Sequence, residues 1–413
     1  MNALTMAAER RTPAKVFTLL SALCREPAWL KVVWRDWWRL NHKKIGANKE
    51  HLRAAMEWLC RAQDSVGGGG VSGGYDYHQG WLPPYPETTG YIIPTFLQYA
   101  VFSGESGYVE RALRMGDWEI EIQLPSGAIR GGMGVNEYPI VFNTGQVISG
   151  WTSLYKETGE RRFLEAAARA ADWLVAIQDQ DGKWSQHTLN GIPHAYNTRV
   201  AWPLLEVYNL TGVDKYNKAA ESQILWALGH ARENGWISQM AFAADETPLT
   251  HTIAYTLRGL LESSFHLSEE VAQKALHIVQ IASENTMRTY EFRKSDPYSL
   301  PRYLPATLNE EWKSRDNYSC LTGDAQIAGI WLKIYKLTGD ARFLNSALKL
   351  LDQVKATQCL NDRNSSIRGG IAGSYPLWGK YAPFNYPNWA AKFFADSLML
   401  QESLMGELEG RTQ

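Results

Sequence analysis

Apolar positions recur at helical spacing in blocks, and from Ser103 onward the blocks repeat about every fifty-three residues. Each block reads as a helical hairpin. One helix ends in a Tyr-x-x-Thr-Gly connector at Tyr155 to Gly159, Tyr208 to Gly212 and Tyr335 to Gly339, with Ser103-Gly104 at the same place in an earlier copy. The glycine supplies the left-handed residue that stops a helix. The next helix opens on Phe163-Leu164, Tyr216-Asn217 or Phe343-Leu344 and closes on Trp-Leu or Leu-Leu and a glutamine, as in Trp58-Leu59 with Gln63, Trp173-Leu174 with Gln178, and Leu350-Leu351 with Gln358. A loop rich in Gly and aromatics, such as Asp181-Gly182-Lys183-Trp184, leads to the next block.

This pattern predicts outer helices near 47–63, 107–123, 161–178, 214–231, 268–287 and 341–358. Inner partners follow near 87–102, 142–157, 195–210, 249–264, 319–337 and 388–404. The inner set is small and apolar on most faces, as in Gly323 to Gly329, which suits helices buried on both sides. The expected fold is all-α: six hairpins closed into a ring, which needs no capping repeat.

The repeat covers 47–413 and sets off 1–46 as an N-terminal helical extension. Residues 1–44 hold nine Lys/Arg against three Asp/Glu, a net of +6 in a chain whose total is −1. Interleaved with these charges are Trp29, Trp34, Trp37 and Trp38. The segment 28–44 is expected to form an amphipathic helix, either a latch on the ring or a peripheral membrane contact. The overall charge gives no support to nucleic-acid binding. No apolar run is long enough to span a membrane. Charged, Trp-rich sequence follows Val16 to Cys24 in place of a cleavage site, so a cytoplasmic location is expected over secretion. Cys24, Cys60, Cys320 and Cys359 lie far apart without CxxC spacing, so neither a metal nor another cofactor is expected.

Inner helices of such a ring start at one mouth, and their starts are polar. They read Tyr85-Pro86-Glu87-Thr88-Thr89-Gly90, Asn143-Thr144-Gly145-Gln146, His194 to Arg199, Thr250-His251-Thr252 with Tyr255, Ser319 to Asp324, and Asn385 to Trp389. Thr88, Asn143, Ser319 and Asn388 are expected to cap helices. Capping does not require His194, Tyr196 or Arg199, whose groups suit base, acid and anion-clamp roles. The expected catalytic groups are His194, Tyr196, Glu87, His251 and Asp324, with Arg199, Asn197, Asn143 and Tyr255 binding substrate. A repeated loop, Ile129-Arg130-Gly131-Gly132 and Ile367-Arg368-Gly369-Gly370, adds Arg130 and Arg368 as ligand contacts or as a structural turn. The glycine run 67–74 before Tyr77 and Trp81 reads as a lid with a stacking platform, or as a plain loop, and Tyr386 joins the aromatic candidates.

From about residue 47 the chain resembles the (α/α)6 toroids of the six-hairpin glycosidase superfamily, and loosely relatives encoded with bacterial exopolysaccharide biosynthesis genes. The resemblance implies a scaffold shared by glycoside hydrolases, polysaccharide lyases, sugar epimerases and prenyl or terpene enzymes. The sequence lacks the DxDD acid motif of terpene cyclases and the Asp/Cys/His zinc set of protein prenyltransferases. His194, Tyr196, Asn197 and Arg199 resemble the sets of toroidal polysaccharide lyases in residue type. The expectation is therefore an enzyme acting on a polysaccharide or oligosaccharide, uronate-containing, by lyase or epimerase chemistry. A glycoside hydrolase using Glu87 and Asp324 is one alternative. A non-catalytic glycan-binding component of an assembly system is another.

Overall fold

The computed structural model describes residues 45–295 and 303–411. Twelve helices dominate them. The outer ones are α1 (Asn48–Asp64), α3 (Gly107–Ile122), α5 (Arg161–Ala176), α7 (Asp214–Gly229), α9 (Glu269–Ser295) and α11 (Ala341–Thr357). The inner ones are α2 (Pro86–Ser103), α4 (Val141–Thr158), α6 (Thr198–Thr211), α8 (Thr250–Ser263), α10 (Leu321–Thr338) and α12 (Asn388–Arg411). Each inner helix packs against the next, and α12 returns to pack on α2, which closes the ring.

Outer helices bury one stripe, as in Phe163, Ala166, Ala167, Ala170 and Leu174 of α5. Inner helices have little exposed face; 321–332 of α10 are buried throughout. Tryptophans join the layers, with their indole N–H groups satisfied. Trp151 of α4 donates to Gly116 O of α3 at 3.0 Å, and Trp331 of α10 to Thr286 Oγ1 of α9 at 3.3 Å.

The glutamines of the sequence repeat have a structural explanation. Gln63 Nε2 donates to Gly68 O and to Arg111 O on the next outer helix, at 2.9 and 3.1 Å. Gln123 does the same with Gly127 O and Ala166 O, and Gln178 with Gly182 O and Ala219 O. Gln358 completes the set by reaching Gly369 O at 2.7 Å and His51 O at 3.1 Å. One amide thus holds the loop after its own helix and stitches that helix to its neighbour. At Gln358 the neighbour is α1, so the outer ring closes as well.

Two kinds of connection separate the mouths of the ring. Inner-to-outer turns are short, and four of the five pass through left-handed glycines, such as Gly159 (φ 70°) and Gly339 (φ 71°), the turn after α8 with Ser264 being the exception. Outer-to-inner loops are long and carry the small strands. These are β1 (Gly74–Asp76), β2 (Gly80–Trp81), β3 (Ser319–Cys320), β4 (Ser374–Tyr375) and β5 (Asn385–Pro387). They pair antiparallel as β2-β1-β5 and β3-β4, with Tyr75 opposite both Trp81 and Tyr386. The strand β5 thereby fastens the last long loop to the first.

The sequence placed these helices within a few residues, except that α9 runs on to Ser295 and α12 to Arg411. The expected caps are not caps. Tyr85, Ile140 and Cys320 occupy the N-cap positions of α2, α4 and α10 without side-chain bonds. Thr88 Oγ1 donates back to Tyr85 O, Ser319 Oγ to Asp324 Oδ2, and Asn388 Nδ2 to Ser72 O and Thr88 Oγ1. These side chains join one loop or helix to another. The expected extension 1–46, including the segment 28–44, lies almost wholly outside the described residues. No described helix is long and apolar enough to cross a membrane.

Candidate functional site

At the mouth where inner helices begin, a cavity of about 350 Å³ opens. Glu87 is the second residue of α2, Asn143 the third of α4, His251 the second of α8 and Trp389 the second of α12. All four line it, together with Tyr196 from the turn before α6 and Tyr255, one helical turn after His251 on the same face. Phe142, the second residue of α4, also lines it, and the remaining lining comes from long loops and is mostly aromatic: Tyr85, Tyr138, Phe242 and Tyr381.

Glu87 is the only carboxylate among the described lining residues. Tyr85 donates its hydroxyl to Glu87 Oε2 at 2.6 Å. Burial pushes the Glu87 carboxyl up to about 7, against the opposing pull of the Tyr85 hydroxyl and of Arg199. At neutral pH this group is poised between acid and base.

His251 has the opposite character. Burial, reinforced by the Arg199 cation, holds its imidazole down at about 3, so the ring is neutral across the physiological range. Gln326 Nε2 lies 2.7 Å from His251 Nδ1 and also reaches Thr322 O at 3.4 Å. The amide N–H donates to Nδ1, which leaves the proton of the neutral ring on Nε2. His251 is therefore a hydrogen-bond donor of fixed tautomer, packed 4.3 Å from Tyr255 and 5.7 Å from Tyr381 between ring centroids. Tyr381 in turn accepts from Trp389 Nε1 at 2.8 Å.

The structure gathers Glu87, Asn143, Tyr196, His251 and Tyr255 in one place and puts the other expected site residues elsewhere. His194 lies behind Tyr196, stacked on it at 4.4 Å, and backbone carbonyls of Ala241 and Leu189 face both ring nitrogens at 3.0 and 2.8 Å. Asp324 is buried, accepts from Ser319 Oγ at 2.6 Å and does not line the cavity. Asn197 is buried below the turn, and Arg199 lines a different cavity.

Arg130 is spent on its own loop, donating to Ile122 O at 2.7 Å and Asn136 O at 3.0 Å. Arg368 is exposed, and its carbonyl accepts from Arg61. Neither arginine of the repeated Arg-Gly-Gly loop lines the cavity. Tyr77, Trp81 and Tyr386 form an aromatic group on the small sheet, with Tyr77 6.1 Å from Tyr386. In the glycine run beside them Gly69 and Gly70 pack against Trp118 and Gly73 against Met133, whereas Gly67 and Gly68 face open space.

Sequence reasoning named none of Tyr85, Phe142, Trp389, Tyr381, Tyr138 and Phe242 as site residues, although it placed Tyr85 and Trp389 among the inner-helix starts. The first three sit within two positions of an inner-helix start, the same signal that found Glu87 and His251. Tyr381, Tyr138 and Phe242 lie in loops and carry no such mark.

Solved structures with this architecture span several sugar-directed activities. An unsaturated glucuronyl hydrolase from Bacillus sp. GL1 is 15% identical, with TM-score 0.64, covering 86% of this chain and 96% of that one. A cellobiose 2-epimerase from Bacillus thermoamylovorans is 12% identical, with TM-score 0.65 and coverages of 86% and 98%. A D-mannose isomerase is 13% identical, with TM-score 0.62 and coverages of 85% and 97%. At these identities the likeness shows the (α/α)6 toroid alone. No curated protein matches the sequence. The model of the family described as beta-L-arabinofuranosidase, GH127 catalytic domain, matches residues 46–276, more than half of the chain. The chain belongs to that family, and it is a carbohydrate-active enzyme on the six-hairpin glycosidase scaffold rather than a non-catalytic binding component.

Proposed function

We propose that the protein performs proton-transfer chemistry of the epimerase or lyase type on a sugar unit of an oligosaccharide or polysaccharide, bound in the cavity at the inner-helix starts. One observation carries this reading: a single carboxyl poised near neutrality shares the cavity with a permanently neutral, proton-donating imidazole. That pairing suits removal of a proton beside a carbonyl. Glu87 takes the proton from carbon while His251 Nε2–H hydrogen-bonds the oxygen on which charge develops. Tyr85 holds the carboxylate, and Gln326 fixes the imidazole. Aromatic walls suit the apolar faces of a sugar ring, and the cavity volume lies at the small end of the roughly 300–1,000 Å³ usual for ligand sites. That size fits a single sugar or the terminal unit of a glycan.

Between the two chemistries, epimerisation of a neutral sugar is the better supported. No Lys or Arg appears among the described lining residues to pair with a uronate carboxylate. The uronate and exopolysaccharide parts of the expectation rest on the sequence resemblance. Hydrolysis is the second reading, favoured by the family and by several structural neighbours. Glu87 would then act as general acid, but Asp324, its expected carboxylate partner, is outside the cavity.

Incubation with a panel of reducing sugars, neutral oligosaccharides and uronate polymers tests the proposal. Products are followed by chromatography of epimers, by absorbance of unsaturated uronates and by reducing ends. The expected result is an epimer, formed by the native enzyme and lost in Glu87→Gln and in His251→Ala. New reducing ends without an epimer or an unsaturated product would replace this reading with hydrolysis.

A further inference from the structure

The ring holds a second cavity, of about 450 Å³, around the C-terminal halves of the inner helices and so toward the opposite mouth. Its walls carry the hydroxyls of Thr95, Ser149, Ser153 and Ser397. They also carry five cations, Lys156, Arg199, Arg258, Lys333 and Lys392. Four are paired. Lys156 meets Glu206, Lys392 meets Asp396, and Arg258 and Lys333 share Glu262 at 2.6 and 2.8 Å. Five cations against three carboxylates leave a net of +2.

Arg199 is the exception and forms the floor. It is only 5% exposed. Its Nε donates to Gln146 Oε1 at 3.2 Å, and no described carboxylate reaches its guanidinium. The guanidinium carbon instead lies 4.9, 5.4 and 5.9 Å from the ring centroids of Tyr255, Phe393 and Tyr91. Lys392 Nζ stands over two of the same rings, 4.5 Å from Phe393 and 5.4 Å from Tyr91. Two buried cations thus converge on one aromatic floor, with Asp396 as the one carboxylate bound to either of them.

Helix dipoles account for part of the charge, because cations complement C-terminal helix ends. Lys156, in the last turn of α4, fits that explanation, whereas Arg258 and Lys333 lie above the last turns of α8 and α10 and answer to Glu262. Arg199 and Lys392 do not fit it, being the second residue of α6 and the fifth of α12. A desolvated, unpaired guanidinium is costly, and a bound anion removes that cost. The Lys392 ammonium is held down at about 8 by burial and by the nearby Arg199 and Arg258 cations, a repulsion that an anion relieves.

We propose that this second cavity binds a small hydroxylated anion, a sugar phosphate or a sugar acid. Its charged group pairs with Arg199 and Lys392, and its hydroxyls meet the serine and threonine walls. The site is distinct from the cavity at Glu87, and the inference does not rest on the catalytic reading.

Calorimetric titration of the full-length protein with glucose 6-phosphate, glucuronate and glucose tests it. At least one of the two anions should bind ten or more times tighter than glucose, and which of them does so identifies the charged group. Binding should weaken with added salt and fall at least tenfold in Arg199→Gln. Lys333→Gln, nearer the mouth with a side chain 27% exposed, should lose severalfold and keeps the test decisive if Arg199→Gln does not fold. Glu87→Gln should bind the anion as the native protein does. Equal affinities for the anions and glucose would overturn the proposal, as would anion binding unchanged in both cation variants or abolished by Glu87→Gln.

Discussion

The two mouths of the ring are built from the same six inner helices and differ in almost every other respect. Where the helices begin, long loops bring in aromatic side chains, and the described lining has one carboxyl, one imidazole and no Lys or Arg. Where they end, the connections are short, four of the five through left-handed glycines, and charged side chains of the helices themselves line the space. Loop length explains the contrast. A turn of two or three residues has no side chains to spare, so that mouth is furnished by helix faces. A loop of some twenty residues, such as the one between α1 and α2, can bury aromatics over the opening and desolvate whatever lies beneath. Desolvation then sets the chemistry by pushing Glu87 up and His251 down.

The largest expected effect strikes the loop-covered mouth. Glu87→Gln keeps an oxygen for the Tyr85 hydroxyl but removes the titrating group, so turnover should fall about a hundred- to ten-thousandfold. The melting temperature should barely change. A comparable fall on replacing Lys156 at the other mouth would break the comparison.

Next in size is a stability effect where the loops are anchored. Gln178→Met removes the amide that serves Gly182 O and Ala219 O; Ala219 O, inside α7, keeps its helix bond, while Gly182 O loses its donor. A buried acceptor left unsatisfied costs about 1–3 kcal/mol, so denaturant unfolding should show a loss of that order.

A smaller effect links the mouths. The Arg199 cation lowers Glu87, so Arg199→Gln should raise the Glu87 carboxyl above about 7. If Glu87 works as the base, activity rises with pH through that value, and the variant's rise should move to higher pH. A rate profile that instead falls through pH 7 would assign Glu87 as a general acid and favour hydrolysis.

The smallest effect belongs to the glycine turns. A methyl group at Gly339 meets no atom within 4 Å, so Gly339→Ala pays only for its left-handed backbone, about 1 kcal/mol. Thermal unfolding should register that loss with activity unchanged.

The ring was legible in the sequence because each hairpin repeats the same physical requirements. A left-handed glycine ends one helix, an apolar stripe packs the next, and a glutamine stitches it to its neighbour. The C-terminal reach of α9 and α12 was not legible, because their last turns are polar and carry no stop signal. The candidate cavity was partly legible. Glu87, Asn143 and His251 share one position in the repeat, the first turns of inner helices, and Tyr255 follows His251 one turn later on the same face, so the fold alone brings them together. His194 holds a similar sequence position yet turns toward two backbone carbonyls, because the Leu189–Gly191 turn and the Ala241 loop fold over it. Contacts between distant loops decide such cases, and periodicity does not record them. Asp324 shows a related limit: it sits in the first turn of α10, yet that helix contributes no lining residue and the carboxyl packs against Ser319.

Exchange of solvent deuterium into carbon-bound positions of a turned-over sugar tests the central claim most directly, namely that Glu87 moves a proton to and from carbon while His251 hydrogen-bonds the oxygen on which charge develops. In deuterium oxide, proton NMR should show one carbon-bound proton signal of the recovered sugar fading with the native enzyme and persisting with Glu87→Gln. Turnover that cleaves a glycosidic bond and leaves every carbon-bound proton in place would contradict it.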